Sequence, residues 1–382
     1  MSKRFDELFG EIVAILRRDY AGMSLVGDRF DPRYYNTAIG QAWHDNKLTE
    51  LLFLRYVNQM LACTGDRRLH LALRPSDAYQ PWDPGFFTRR YGNSLYITAV
   101  RGESGVTVGD RIVSVNGGSP AEHRAAIQKN FFYADEPERE DWRGLLKMAD
   151  FIDVEHADGT REQLPVRRHP LHGMSPCPAQ HVFPEGVILD LRNVPDISEE
   201  MLYSLLPLLC REDTPTAELI DPDIFVNYTR FNCLVKAAGL QDIPGTEDFI
   251  ADLRDKAGKG FLRENIDDGV VIPGRASGRA VVLTDTWTRD GAETLALAAK
   301  RAGALLLGRP TLGTIDLCGD VSYELDERYI LTWPTAVTGA ARRGEGILGR
   351  GVAPDVYIPW TPEECERDLL MEAAVKQLKK KF

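Results

Sequence analysis

The first seventy-odd residues carry apolar side chains at helical spacing. Phe5, Leu8, Phe9, Ile12, Val13, Ile15 and Leu16 fall on one face of a 3.6-residue period, and a second apolar run extends from Leu48 to Cys63. The pattern predicts helices over 5–74, ended by Pro75 and the Pro/Asp/Gly-rich stretch from Gln80 to Gly85. Beyond it the period drops to two. "NSLYITAV" (93–100) alternates like a half-buried strand. "GDRIVSVNGGSPAEH" (109–123) reads as turn, strand, Asn-Gly turn and helix start, and "FIDVEHADGTREQLPVRR" (151–168) as two strands about an Asp-Gly turn. Residues 169–186, with three His and four Pro, read as a linker.

From Gly186 onward, continuous apolar runs alternate with helical stretches. "GVILDLRN", Arg279–Leu283 and "GALLLGRPT" (303–311) read as buried strands. Glu199–Cys210 and the Ala/Leu-rich run after Asp290 read as helices, and 212–272 as a helical excursion. A hairpin around Glu324–Leu331, a strand in "GRGVAPDVYIPW" (349–360) and a C-terminal amphipathic helix follow. Strand–helix–strand repeats imply parallel pairing with right-handed crossovers. Val187–Leu191 and Val281–Leu283 are therefore expected as neighbouring parallel strands.

Composition narrows the function classes. The chain has 382 residues, 43% hydrophobic and 27% charged, enough for two or three domains of roughly 100–200 residues. A net charge of −11 argues against nucleic acid or an anionic membrane as partner, because phosphate binding needs a basic patch. Lys379-Lys380-Lys381 reads as a helix C-terminus rather than a binding tail. The start lacks an apolar signal core, and no apolar run approaches the ~20 residues of a membrane span. Six scattered cysteines without a C-x-x-C fit reduced thiols, and a cytoplasmic location is expected. Seven histidines without an H-x-x-x-H pair give no metal site, and no cofactor is implied.

The candidate chemistry sits in "TDTWTRDGAETLALAAK" (284–300), a strand end, a tight turn and a helix start. Hydrolases place a nucleophile at such an elbow, where helix N–H groups can hold an oxyanion. Here the elbow reads Arg289-Asp290-Gly291-Ala292-Glu293, with no Ser or Cys. Asp290-x-x-Glu293 before the helix also fits a capping box, with Asp290 accepting from the N3 amide and Glu293 reaching back.

Four stretches together resemble the tail-specific, or C-terminal-processing, serine peptidases and their tricorn-core relatives. Val187–Asn193 resembles that family's "vilDLRnN" strand, and Val282–Ala298 its nucleophile strand, elbow and helix. Gly308–Gly313 resembles "GexTxG", and Gly349–Asp355 resembles "gkGvxPD". The segment 79–168 resembles a PDZ module. The resemblance implies an α/β chain: an N-terminal helical segment (1–78), a PDZ-like β-rich module (79–168), the linker (169–186) and a ClpP/crotonase-like peptidase core (187–382). Its function would be serine-type proteolysis, but the machinery differs. The serine position falls at or beside Asp290. The "GKG" lysine falls on Thr314, and the "GG" of the oxyanion hole on Asp196-Ile197. The base histidine of the tricorn-like branch falls on Arg68, with His70 two residues away.

Asp290, Glu293, Thr314 and His70 are thus the candidate catalytic residues, and Arg289, Gly291, Asp196, Gly313 and Asp316 the candidate ligand contacts. His70 also reads as a partly buried strand histidine between Leu69 and Leu71. Two classes of function follow. One is an enzyme, either a peptidase with a rearranged site or a crotonase-like enzyme using Asp290 as acid/base. The other is a pseudo-peptidase that binds peptides or small ligands. The oligomeric state is left open.

Overall fold

A computed structural model describes residues 3–74, 82–127, 137–170, 177–267, 269–275 and 278–380. The expected boundary at Pro75 and Gln80, the centre of the expected linker (171–176) and Lys381 lie outside the described residues. Among the described residues the chain is a mixed α/β structure built on three five-stranded sheets and two short two-stranded ones.

The central sheet has the order Val356–Tyr357, Leu305–Gly308, Arg279–Thr284, Gly186–Asp190, Ala179–Phe183. The first four strands are parallel, and Ala179–Phe183 closes one edge antiparallel. Val187–Asp190 lies directly against Ala280–Leu283, as the buried apolar runs predict. One face packs on Asp290–Arg301 and Glu199–Leu205 through Leu295, Ala296, Ala299, Leu202 and Leu206. The other packs on Leu369–Leu378 through Leu370, Ala374 and Leu378.

A second, antiparallel sheet contains Leu317–Glu324, Tyr329–Thr338, Asp223–Tyr228, Gly260–Asn265 and His70–Leu73, which ends the helical span expected over 5–74 and makes His70 a strand residue as read, though an exposed one. The cause of this short strand is local alternation. Leu69 and Leu71 are buried while His70 is exposed, and pairing with Tyr329–Thr332 satisfies the backbone. The N-terminal helices share one core with this sheet: Leu8, Ile12, Leu16, Phe53 and Met60 pack with Leu317, Leu331 and Trp333. Residues 212–272 likewise contain strands as well as helices, because Asp223–Tyr228 and Gly260–Asn265 pair with each other inside this sheet.

The third sheet, Phe86–Tyr91 to Arg161–Pro165, is an antiparallel meander in chain order with its own core of Leu95, Ile97, Ile112, Trp142 and Ile152. Its seam with the rest of the chain is largely polar. Arg89 Nη2 donates to the buried Asp285 at 2.7 Å, and Thr286 Oγ1 donates to Glu138 O at 3.0 Å. Arg139 donates to the carbonyls of Leu312 and Arg350. Tyr96 and the partly exposed Tyr91 meet Trp360 with ring centroids 6.0 and 6.3 Å apart.

Breaking a buried ion pair strands a charge, whereas an exposed pair contributes little. Arg89→Ala is therefore expected to cost about 3 kcal/mol in urea unfolding. Arg74→Ala, whose partnership with Glu324 is about half exposed on both sides, should cost under about 1 kcal/mol. The opposite order would show that the seam does not depend on Arg89.

Candidate functional site

The elbow is fixed from below. Thr284 ends a strand paired on both sides, and its hydroxyl donates to Arg309 O at 2.8 Å. The next residue, Asp285, is 1% exposed. Its carboxylate accepts the backbone N–H groups of Asn193 (3.0 Å), Trp287 (3.0 Å) and Thr288 (3.1 Å) besides the Arg89 guanidinium. The Thr288 hydroxyl donates to Leu191 O at 2.8 Å, which ties the turn to the neighbouring strand.

Asp290 opens the helix in a left-handed conformation, φ +50°. That region is sterically costly for most residues and better tolerated by Asp and Asn. The expected capping box is not formed. Arg289 is the residue before the first turn, and Asp290 lies one position too far along to cap it. Its carboxylate turns outward instead. Oδ1 pairs with Arg68 and Oδ2 accepts from Arg289 Nη1 at 3.1 Å. A full cation outcompetes a neutral amide for a carboxylate. The side chain of Asp290 is 16% exposed, so the pair is partly open to solvent.

Capping falls to other residues. The Asp290 amide donates to Thr314 Oγ1 at 3.0 Å, and the Gly291 amide to Asp196 Oδ1 at 2.9 Å. Asp196 is thus the carboxylate seated on the helix N-terminus, where negative charge is favoured. The approach is close enough to require glycine. A Cβ on Gly291 would lie 2.6 Å from Asp196 Oδ1 and 2.7 Å from Ile197 O.

Glu293 does not reach back to the cap. It is fully buried and clamps the loop opposite, because that loop presents unpaired donors to the interior. It accepts from the amides of Gly313 (2.6 Å), Thr314 (2.6 Å) and Ile315 (3.3 Å), and from the hydroxyls of Thr311 and Thr314. Burial pushes its carboxyl upward, and these donors oppose the shift. Thr314 therefore links Glu293 to the elbow amide. Asp316 is buried and holds the far loop, accepting the Leu348 amide at 2.6 Å; burial pushes its carboxyl up as well.

Arg68 assembles the outer half of the site. Its guanidinium pairs with Asp290, donates to Asp320 Oδ2 at 2.8 Å, and reaches Thr314 O at 3.3 Å. Burial works against its charge, but Asp290 and Asp320 outweigh it and hold the group above its ordinary value. His70 is exposed, and its Nδ1 contacts Arg68 O at 3.0 Å. Asp290, Arg289, Gly291, Asp196, Thr314, Glu293 and Gly313 are thus joined in one hydrogen-bonded cluster. His70 touches it only through the Arg68 backbone, and Asp316 faces the 346–348 loop. The sequence reading did not single out Asp285, Arg89 or Asp320. Their signal was faint: Asp285 and Asp320 are lone charges beside or in a strand, and Arg89 is one of an adjacent Arg pair within one. Among the described residues no group of three or more His, Cys, Asp or Glu could hold a metal ion, and no helix is long and apolar enough to cross a membrane.

No protein-family profile and no curated sequence matches the chain. Solved structures do match. Mature CPAF complexed with lactacystin is 12% identical with a TM-score of 0.64, over 98% of this chain and 97% of that one. The CPAF S499A mutant is 11% identical with a TM-score of 0.65, over 98% and 96%. The photosystem II D1 C-terminal processing protease aligns more loosely, at 15% identity and a TM-score of 0.42 over 95% and 94%. The likeness to CPAF spans nearly the whole of both chains, and at these identities it is a likeness of fold.

The buried Glu293 carboxylate uses both oxygens as acceptors. A glutamine there would present an amide N–H₂ to groups that are themselves donors. Glu293→Gln is expected to lower stability by about 1–3 kcal/mol, the usual cost of buried unsatisfied polar groups. Thermal or urea unfolding measures this, and a neutral result would mean that the 311–315 loop can find other acceptors.

Proposed function

We propose that this chain is a peptidase-like protein without serine-type proteolysis, in which a PDZ-like module and a crotonase-like core serve to bind a peptide or a small ligand. The carrying observation is the Arg68–Asp290 ion pair. On the resemblance drawn from the sequence, these two residues stand at the positions of the base and the nucleophile. Acyl transfer needs a nucleophile, a base within hydrogen-bond reach and free donors for the developing oxyanion. Here the elbow side chain is a carboxylate engaged by two guanidiniums, and arginine does not act as a proton acceptor. The amide next to it already serves Asp196, and an oxyanion there would face both carboxylates. Thr314 has a hydroxyl at the elbow, but it accepts from the Asp290 amide and donates to Glu293.

The same contacts weigh against Asp290 as acid/base of another reaction, because both of its oxygens hold a cation. Fluorophosphonate probes are expected to label no serine, as judged by intact mass, and casein and mixed peptide libraries should remain uncut. Asp290→Asn should then change stability modestly and alter no turnover. Hydrolysis that falls by ~10²–10⁴-fold in a folded Asp290→Asn variant, the usual effect of losing a general acid/base, would overturn the proposal.

A further inference from the structure

Beneath Arg68 lies a charge that the elbow chemistry does not use. Asp66 is 0% exposed, and its carboxylate meets only neutral donors: the Arg68 amide at 2.9 Å on Oδ1 and the Tyr20 hydroxyl at 2.9 Å on Oδ2. Its own amide donates to Thr64 Oγ1 at 3.1 Å. The charged and titratable groups facing this point come from every neighbouring element. Tyr20 follows the helix Phe5–Asp19, and Arg29 approaches from 27–29. Arg68 belongs to the same loop as Asp66, and Asp320 and Cys318 come from the strand Leu317–Glu324. Asp290 lies across Arg68. Two carboxylates, Asp290 and Asp320, thus hold the Arg68 guanidinium, while the more deeply buried Asp66 accepts the backbone amide of the same residue and, among the described residues, has no cation on its oxygens.

We infer that Asp66 is a proton-sensitive brace for the elbow: taking up a proton there concentrates the Arg68 charge on Asp290 and Asp320 and tightens the pair, and losing that proton loosens it. The inference rests on the reading of Arg68–Asp290 as a structural ion pair. The balance is simple. One proton binds to Asp66, and the neutral acid can donate to the Tyr20 oxygen while its other oxygen still accepts the Arg68 amide. The repulsion with Asp320 disappears. Asp66 titrates in the range where this matters. Burial pushes it up to about 6 and Asp320 adds to the rise, while the Arg68 amide, Tyr20 and the Arg68 charge pull against it. Because the folded value lies above the ordinary 3.8, the stabilisation is fully present below about pH 4 and is lost as pH rises through about 6.

The test follows the full chain by thermal unfolding from pH 4.5 to 8, with hydrogen exchange of the 287–293 segment, corrected for intrinsic rates, as the elbow readout. The wild type is expected to lose stability and elbow protection together as pH rises through about 6. Asp66→Asn should remove the component with a midpoint near 6 from both readouts, leaving only what the other buried carboxyls, Glu293 and Asp316, contribute. Should that variant fail to fold, two milder ones decide. Asp320→Asn removes a charge that raises Asp66 and moves the midpoint to lower pH. Tyr20→Phe removes a donor to the carboxylate and moves it to higher pH. Shifts in any other direction, or an elbow whose exchange ignores the Asp66 midpoint, would overturn the inference. None of these measurements depends on turnover, so their failure is distinct from a finding of hydrolysis.

Discussion

The buried Asp285 carboxylate is the constraint on which the arrangement depends. One residue past the central strand, it gathers three backbone amides, from Asn193, Trp287 and Thr288, and one guanidinium from the antiparallel meander. The amides set the shape of the turn and the position of the segment that carries Asp196. The guanidinium of Arg89 sets where the meander sits. A carboxylate with this many donors is satisfied despite its burial, and removing Arg89, its one cationic partner here, would leave a buried charge uncompensated. Turn, capping segment and meander thus meet at one side chain, beside the Thr286, Arg139 and Trp360 contacts of the same seam.

Upon that frame the site is a chain of paired charges. Glu293 fixes the 311–315 loop from inside, Thr314 passes the constraint to the elbow amide, and Arg68 joins Asp290 to Asp320 of the second sheet. The inner end is buried and the outer end is partly solvated. Electrostatic strength falls along this gradient, since water screens the outer pairs more than the inner ones.

Much of the fold was legible because it rests on periodicity. The runs at Val187–Leu191, Val281–Leu283 and Leu305–Leu307 could only be buried parallel strands, and the hairpin between Leu317–Glu324 and Tyr329–Thr338 was marked by its turn. The strand at His70–Leu73 was legible only at His70, through its alternation with Leu69 and Leu71; its extent and its partner, some 260 positions away, were not. At the site, the strand, turn and helix of the elbow could be read from the sequence. The use made of them could not. Asp290 and Glu293 have the spacing of a capping box, yet each meets a stronger partner supplied by distant sequence, Arg68 in one case and the 311–315 amides in the other. Local propensity predicts a local bond, and tertiary competition decides otherwise.

The close seating of Asp196 and Ile197 on Gly291 bears on the history open to this chain. If its ancestors cut peptides, the road back is not one letter long. A serine at position 290 would face an arginine where a proton acceptor is required, and its neighbouring amide would still be claimed by Asp196. A histidine at position 68 would surrender the contact to Asp320 that now steadies the second sheet. Each step taken singly breaks a bond before it restores a function. Selection acting one substitution at a time therefore meets a ratchet at this elbow, and the neutral course is to keep refining the ion pair.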